Sequence, residues 1–240
     1  MKSEERSFLN SSFFILHCIA VFTLSMLYAI VPVKPLHLAK GRLSAVLNAP
    51  ERRALVLAML GDVLSALGAT AVVDETIVVS RDAEVLALAA RLGAAALLER
   101  AEGLNLAYAQ AAAFAGRSGA AALLALPADL PQIVPDEIAG LVAAAEKAGV
   151  ALAPSRDGGT NGLYRPIDSS LPFLFGSGSL ARHLCAAHER GITARLFRAP
   201  GLELDIDQPD DLLLLAETAR ETAAQQLVRE LCVEARLACV

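Results

Sequence analysis

From residue 27 onward, short aliphatic runs alternate with longer stretches whose apolar residues recur at helical spacing. Residues 27–33, LYAIVPV, carry no charge and are stopped by Pro32 and Pro35, the pattern of a strand buried on both faces. Residues 51–67 set Leu55, Leu60, Val63, Leu64 and Leu67 on one helical stripe, and 76–80 follows as a strand. The alternation continues with a helix opened by Arg81-Asp82 and reaching Leu92, a strand over 94–98, a helix over 104–115 and a buried strand over 121–126 closed by Pro127. A helix from Asp136 to Ala148 and a strand over 150–153 complete the regular part. Repeated strand–helix units of this kind predict an α/β fold, a mainly parallel sheet with helices on both faces, and ligands at the carboxyl ends of the strands.

Past Pro154 the rhythm gives way to Ser155-Arg156-Asp157-Gly158-Gly159-Thr160-Asn161-Gly162, which reads as a polar loop of the sort that carries sites. Phe175-Gly176-Ser177-Gly178-Ser179 then leads into a helix over 180–190, followed by strands over 193–198 and 202–206. From Pro209 to the end the chain reads as helical, with 216–237 an appended amphipathic stretch.

The amino terminus admits two readings. No Asp, Glu, Lys or Arg occurs between Phe13 and Val33, 21 positions, long enough to span a bilayer. A span would consume the strand at 27–33, however. If that strand forms, the apolar residues upstream have only the length of a signal-peptide core, without its basic flank or an evident cleavage site. Residues 1–25 are therefore read as an extension ahead of a functional chain starting at Met26, with a membrane anchor as the alternative, and the protein is expected in the cytoplasm.

Composition narrows the classes. Apolar residues make up 55% of the 240 and charged ones 20%, which excludes a disordered chain. A net charge of −5 argues against a nucleic-acid partner, which needs a basic face. Four cysteines, at 18, 185, 232 and 239, show no metal-ligand or disulfide spacing and read as reduced thiols.

Three places could carry chemistry. Asp205-Ile206-Asp207 ends an aliphatic run, and alternation sets both carboxylates on one face. With Asp129, in Leu126-Pro127-Ala128-Asp129-Leu130-Pro131, they make a divalent-cation site of the oxygen-rich type that suits Mg²⁺. The plainer reading makes Asp207 or Asp210 a helix cap and Asp129 a turn residue. Lys34, Lys40 and Arg42 follow the first strand in a stretch with no acidic residue from Arg6 to Pro50, which favours a polyphosphate. The loop has neither the P-loop nor the dinucleotide-binding glycine pattern. Thr160 and Ser179, beside flexible glycines, offer hydroxyls to an anion, although Ser177 or Ser179 could simply cap a helix. His37, His183 and His188 have no catalytic spacing and read as surface or helix-face residues.

Taken in order, Val31-Pro32-Val33-Lys34-Pro35-Leu36 with Ala39-Lys40-Gly41-Arg42-Leu43, Leu126 to Pro131, Asp157 to Asn161, Phe175 to Ser179 and Leu204 to Leu212 resemble the 2-phospho-L-lactate guanylyltransferase family. The resemblance covers about 27–215 and implies a Rossmann-like nucleotidyltransferase fold over 26–220, with 221–240 a helical extension. It also implies transfer of GMP from GTP to phosphoenolpyruvate, 2-phospho-L-lactate or 3-phospho-D-glycerate, in coenzyme F420 biosynthesis. Thr160, Gly176 and Ser179 match the positions that hold the phosphorylated acid. Asp129, Asp205 and Asp207 match the Mg²⁺ ligands, and Lys34, Lys40 and Arg42 the nucleotide loop. Gly41 departs from the usual Ser. The rival readings are a molybdopterin- or sugar-phosphate-type nucleotidyltransferase, whose glycine-rich first loop is missing, and a membrane-associated nucleotide-binding protein without catalysis.

Overall fold

A computed structural model of the chain describes residues 26–146 and 148–237. Its centre is a seven-stranded sheet built from β1 (Leu27–Pro32), β2 (Glu75–Ser80), β3 (Ala95–Leu98), β4 (Ala122–Ala125), β5 (Val150–Pro154), β6 (Thr160–Pro166) and β7 (Ala194–Leu196), in the order β3-β2-β1-β4-β6-β5-β7. All adjacent pairs are parallel except the two that involve β6. The mainly parallel α/β sheet expected from the alternation is present, with one reversed strand inside it.

Residues 27–33 behave as their lack of polarity requires. β1 lies between β2 and β4 and is buried along its whole length. Leu27, Ala29, Val31 and Val33 pack into one core layer, and Tyr28 and Ile30 into the other. The first layer is covered by α1 (Ala49–Ala69), α2 (Ala83–Arg91) and α4 (Pro135–Ala145), together with α7 (Pro209–Glu217) and α8 (Ala223–Glu230). The second is covered by α3 (Leu104–Arg117) and α5 (Ser179–Glu189). A helix spanning 13–33 would have to dissolve this central strand. Residues 1–25, on which the extension and anchor readings fall, lie outside the described residues. No described helix is long and apolar enough to cross a membrane.

Two expectations are corrected. Residues 160–166, half of which read as loop, form β6, whose polar and glycine content hides a nearly buried strand. Gly162 is needed there, because a Cβ at that position would stand 2.6 Å from Leu141 Cδ2 and 3.0 Å from the Ala153 Cβ. Residues 202–206 do not form a strand. Pro200 instead starts the one-turn helix α6 (Pro200–Glu203), as a proline with no ladder donor and a preset φ favours. The run beyond Pro209 is helical as expected, divided into α7, α8 and α9 (Val233–Leu237). Asp62 of α1 accepts both Ala223 N–H and Ala224 N–H at 2.9 Å, starting α8 against the core.

Gly201 sits where α6 meets the start of α4. Its N–H donates to Glu137 at 2.9 Å, and a Cβ there would meet Gln132 O at 2.5 Å. Because the obstacle is backbone, Gly201→Ala is expected to lose about 1–3 kcal/mol, seen as a lower thermal midpoint. An unchanged midpoint would contradict this docking of α6.

Candidate active site

The site lies along the carboxyl rim of the parallel strands. After β1 the chain makes two short 3₁₀ turns, Leu36–Leu38 and Gly41–Leu43, joined by Ala39 and Lys40. Leu36 and Leu43 are buried anchors, and Asp82 at the end of β2 accepts Leu36 N–H at 3.0 Å. Lys40 takes a left-handed conformation, φ +53°, which costs a non-glycine residue about 1 kcal/mol and signals an over-determined position. Its ammonium reaches back over the rim to Asp129 Oδ2 at 2.5 Å and Asp207 Oδ1 at 2.6 Å.

Asp129 leaves β4 through Pro127 and Ala128, and its backbone carbonyl accepts Ile206 N–H at 3.1 Å. That bond holds 204–207 extended without a strand ladder. Ile206 is buried and Asp205 and Asp207 flank it, so the two carboxylates share a side as alternation requires. Asp205 is fixed from beneath by Asn161 Nδ2, which donates to its Oδ1 at 3.0 Å and to Leu202 O at 2.9 Å. The cap of α7 is neither Asp207 nor Asp210. The N-cap is Gln208, and Asp211 closes the capping box from the third helical position, accepting Gln208 N–H at 2.7 Å and Asp207 N–H at 2.9 Å. Asp207 is thereby released for Lys40.

Charge governs the protonation states. Burial works against the Lys40 ammonium, but Asp129 and Asp207 outweigh it and hold the pKa above its ordinary value. Burial likewise pushes Asp207 up, yet Lys40, Arg42 and Lys34 bring it below the usual carboxylate value. Asp205 is raised, first by burial and then by Asp129 and Asp207, against which the Asn161 hydrogen bond works. Lys34 and Arg42 are exposed, Arg42 standing 3.7 Å from Asp207 Oδ2. The first loop therefore presents two cations to solvent and commits a third to the carboxylates.

Thr160, Gly176 and Ser179 are brought together on the other side of β6. Because β6 is antiparallel to its neighbours, its first residues lie at the same rim as the last residues of β4 and β5. Leu180 N–H donates to Gly158 O at 3.4 Å, tying the two glycine loops. Asn105 brackets Phe175, accepting its N–H at 2.8 Å and donating to its carbonyl at 3.2 Å. Gly176 is exposed, with φ +118°. Ser179 caps nothing. The cap of α5 is Gly178, and Ser177 makes no cap bond either, while the buried Ser179 hydroxyl lies 3.1 Å from Thr160 Oγ1.

Of the two places read for the histidines, surface or helix face, His183 takes the helix face, on α5. His183 is fully buried rather than on the surface, with Nδ1 3.1 Å from Thr160 Oγ1 and Nε2 accepting Leu174 N–H at 2.9 Å. His37 and His188 are exposed. A lone histidine carries no spacing signal, although its position four residues after Ser179 places both on one helix face. Asn161 also escaped notice, and its place next to Thr160 in a strand was the signal that could have found it.

Residues 27–238 match the family described as guanylyl transferase CofC like. The chain belongs to this family. Among its relatives, the phosphoenolpyruvate guanylyltransferase of Sphaerobacter thermophilus is 51% identical over 190 residues, 78% of this chain and 91% of that one. That of Roseiflexus castenholzii is 46% identical over 85% of this chain and 94% of its own. The 2-phospho-L-lactate guanylyltransferase of Methanothermobacter thermautotrophicus is 36% identical over 85% and 90%. Among solved structures, a protein of Desulfovibrio desulfuricans described as a nucleotide-diphospho-sugar transferase superposes with a TM-score of 0.75 at 17% identity, covering 89% of this chain and 97% of its own. A nucleotidyl transferase of Methanothermobacter covers 85% and 99% with a TM-score of 0.58 at 20% identity, so the two share the fold. The fold is thus the Rossmann-like nucleotidyltransferase type, and the chain is a guanylyltransferase of the CofC-like family. The match extends through α8 and α9. Gly41 tolerates the family's usual Ser, since a Cβ built there meets nothing within 4 Å.

Replacing Lys40 by Met strands Asp129 and Asp207 together, an expected loss of about 3 kcal/mol. The sign with pH follows from Asp207. Its lowered folded pKa contributes stability above the ordinary carboxylate value, lost as pH falls through the folded one. The gap in melting temperature between wild type and Lys40→Met should therefore be widest near neutrality and narrow as the pH falls below the ordinary carboxylate value of about 4 toward the lower one of Asp207. A gap independent of pH would contradict the charge assignment.

Proposed function

We propose that the chain joins the GMP moiety of GTP to a small phosphorylated carboxylic acid, phosphoenolpyruvate, 2-phospho-L-lactate or 3-phospho-D-glycerate, releasing pyrophosphate on the route to coenzyme F420. The observation that carries this reading is the pair of unlike sites at one rim, joined by consecutive residues of β6. Asn161 faces the carboxylates and Thr160 the hydroxyl pocket.

A phosphate oxygen of the acceptor attacks the α-phosphorus of GTP. The new P–O bond forms as the bond to the β-phosphate oxygen breaks, and pyrophosphate leaves with that electron pair. A phosphate monoester is largely dianionic at neutral pH, so the attacking oxygen needs no general base. That agrees with a rim without a catalytic His or Cys. The work is positioning and charge stabilisation. Lys34 and Arg42, exposed and close to Asp207, are placed for the triphosphate. Thr160, Ser179 and the Gly176 backbone are placed for the acceptor.

Mg²⁺ fits the donor set. Asp129 Oδ1 is buried without a hydrogen-bond partner, and Asp205 carries a charge that burial disfavours, so a cation beside both would satisfy each. Among the described residues no three acid, histidine or cysteine side chains enclose a common point. Mg²⁺ commonly takes only one or two carboxylates and completes its shell with phosphates and water. In this reading Asp129 and Asp205 would hold it, with Asp207 as the third carboxylate beside them. The ion, when bound, would supply neutralisation of the charge that develops on the transferred phosphoryl group.

Turnover is read as pyrophosphate release from GTP with each acceptor in turn. Asp129→Asn and Asp205→Asn should fold and lose on the order of a hundredfold or more in kcat, the scale of lost transition-state electrostatics. Near-normal turnover in both would defeat the metal assignment. Thr160→Ala and Ser179→Ala should raise the KM for the acid more than that for GTP, each hydrogen bond to a charged group being worth about 1.5–3 kcal/mol. The opposite pattern would show that the two substrates have been placed the wrong way round.

A further inference from the structure

The buried imidazole behind the hydroxyl pocket is not used by the reaction as described. Its proton is nevertheless fixed by its neighbours. The Leu174 N–H can only donate, so Nε2, 2.9 Å away, must be unprotonated. The proton of the neutral ring is then on Nδ1, and the Thr160 hydroxyl at 3.1 Å accepts it. Burial, with Arg182 next in the chain, lowers the pKa of His183 to about 4, against the opposing pull of the Ser179 backbone, so the ring is neutral under working conditions. Phe175 closes the ring's edge at a centroid distance of 5.1 Å, and the imidazole has no exposed surface.

This leaves few arrangements for the hydroxyls. Thr160 Oγ1 accepts from His183, and Ser179 Oγ lies 3.1 Å from the same oxygen. If Ser179 donates to Thr160, the Thr160 proton points away from both. If Thr160 donates to Ser179, the Ser179 proton is the free one. In either case the chain of donors runs from the Leu174 N–H through the ring to the threonine and leaves one hydroxyl proton uncommitted within the pair. A ring with its proton on Nε2 would reverse this. Thr160 would then donate to Nδ1, and the pair would offer lone pairs where an anion needs donors.

We infer that His183 is a positioning residue for the acceptor. Its Nδ1–H holds the Thr160 and Ser179 hydroxyls in the donor orientation that binds the phosphate or carboxylate of the acid. The inference rests on the placement of the acceptor at Thr160 and Ser179, and its test separates the two.

Two substitutions divide the ring's bonds. His183→Asn carries an amide nitrogen near the place of Nδ1 and lacks the acceptor for Leu174. His183→Gln extends an amide oxygen to the place of Nε2 and lacks the donor to Thr160. Both should melt earlier than wild type, which a purely structural role would also produce. The acceptor KM should separate them, rising about tenfold in His183→Gln and less than about threefold in His183→Asn, with the KM for GTP unchanged in both. In a Thr160→Ala background His183→Gln should raise the acceptor KM no further. Equal acceptor KM values for the two histidine variants, or an additive effect in the double variant, would overturn the role of His183. If Thr160→Ala leaves the acceptor KM unchanged, the acceptor placement falls and the inference with it. Should either variant fail to fold, ¹⁵N NMR of the wild-type protein decides, the His183 signals being expected to show a neutral ring protonated on Nδ1 at pH 7. An Nε2–H tautomer or an imidazolium there would overturn the inference.

Discussion

Three carboxylates cannot share a half-buried strand rim unless something offsets their charge, and in this chain the offset is the Lys40 ammonium held between Asp129 and Asp207. Much of the surrounding geometry serves that contact. The left-handed backbone at Lys40, the buried anchors Leu36 and Leu43 and the Asp82 bond to Leu36 N–H all fix the loop that carries it. The carboxylates are placed independently. Asp129 follows a fully buried strand, Asp207 is freed by the Asp211 capping box, and Asp205 is held by Asn161. An ammonium and a substrate-bound cation are interchangeable occupants of such a place in charge, though not in ligand number. In the proposed reaction a lysine of the first loop and a metal ion would both offset the charge of these carboxylates.

The second half of the site depends on the reversal of β6. In an all-parallel sheet the residues of this strand nearest the rim would be its last ones, Arg165 and Pro166. Reversal brings its first ones instead, directly after a glycine-rich turn. Arg165 is carried to the far end, where its guanidinium binds the carbonyls of Ser169 and Leu171 and lies over Phe173. The pocket also gains a rigid back. Phe175 stacks on Tyr108 with ring centroids 4.3 Å apart, and the neighbouring backbone is bracketed by Asn105.

The parts that sequence reasoning recovered are those where burial alone chooses the residue. β1, β4, β5 and the 77–79 centre of β2 are apolar and buried, and a strand covered on both faces permits little else. The aspartates stood out because they interrupt such runs at the ends where ligands bind. What escaped was set by partners distant in the chain. β6 carries Asn161, Gly162 and Arg165 at buried positions because Asp205, Leu141 and the 169–171 carbonyls are there to receive them, and no local period announces this. Residues 202–206 were misjudged for the converse reason. Their aliphatic alternation is real, but Pro200 and the Asn161 bond to Leu202 O take up the backbone groups that a ladder would need. His183 looked dispensable because a single histidine has no pattern, and its meaning lies in which of its nitrogens has a donor opposite it.

The two-faced start of β6 also limits how this family can vary in length. Thr160 and Asn161 are neighbours whose side chains point to opposite faces, so drawing the strand forward by one residue against β4 would put the Asn161 amide in the hydroxyl pocket and Gly162 beneath Asp205. The irregular pairing at Ala153 and Pro154 takes up the offset between β5 and β6, and Gly158 with φ +84° gives the turn its bend. Insertions in the 155–159 turn are therefore tolerable where they lengthen the turn without shifting the strand. A single-residue deletion that draws β6 along empties both halves of the site of their proper donors at once and also turns Leu163 out of its core layer.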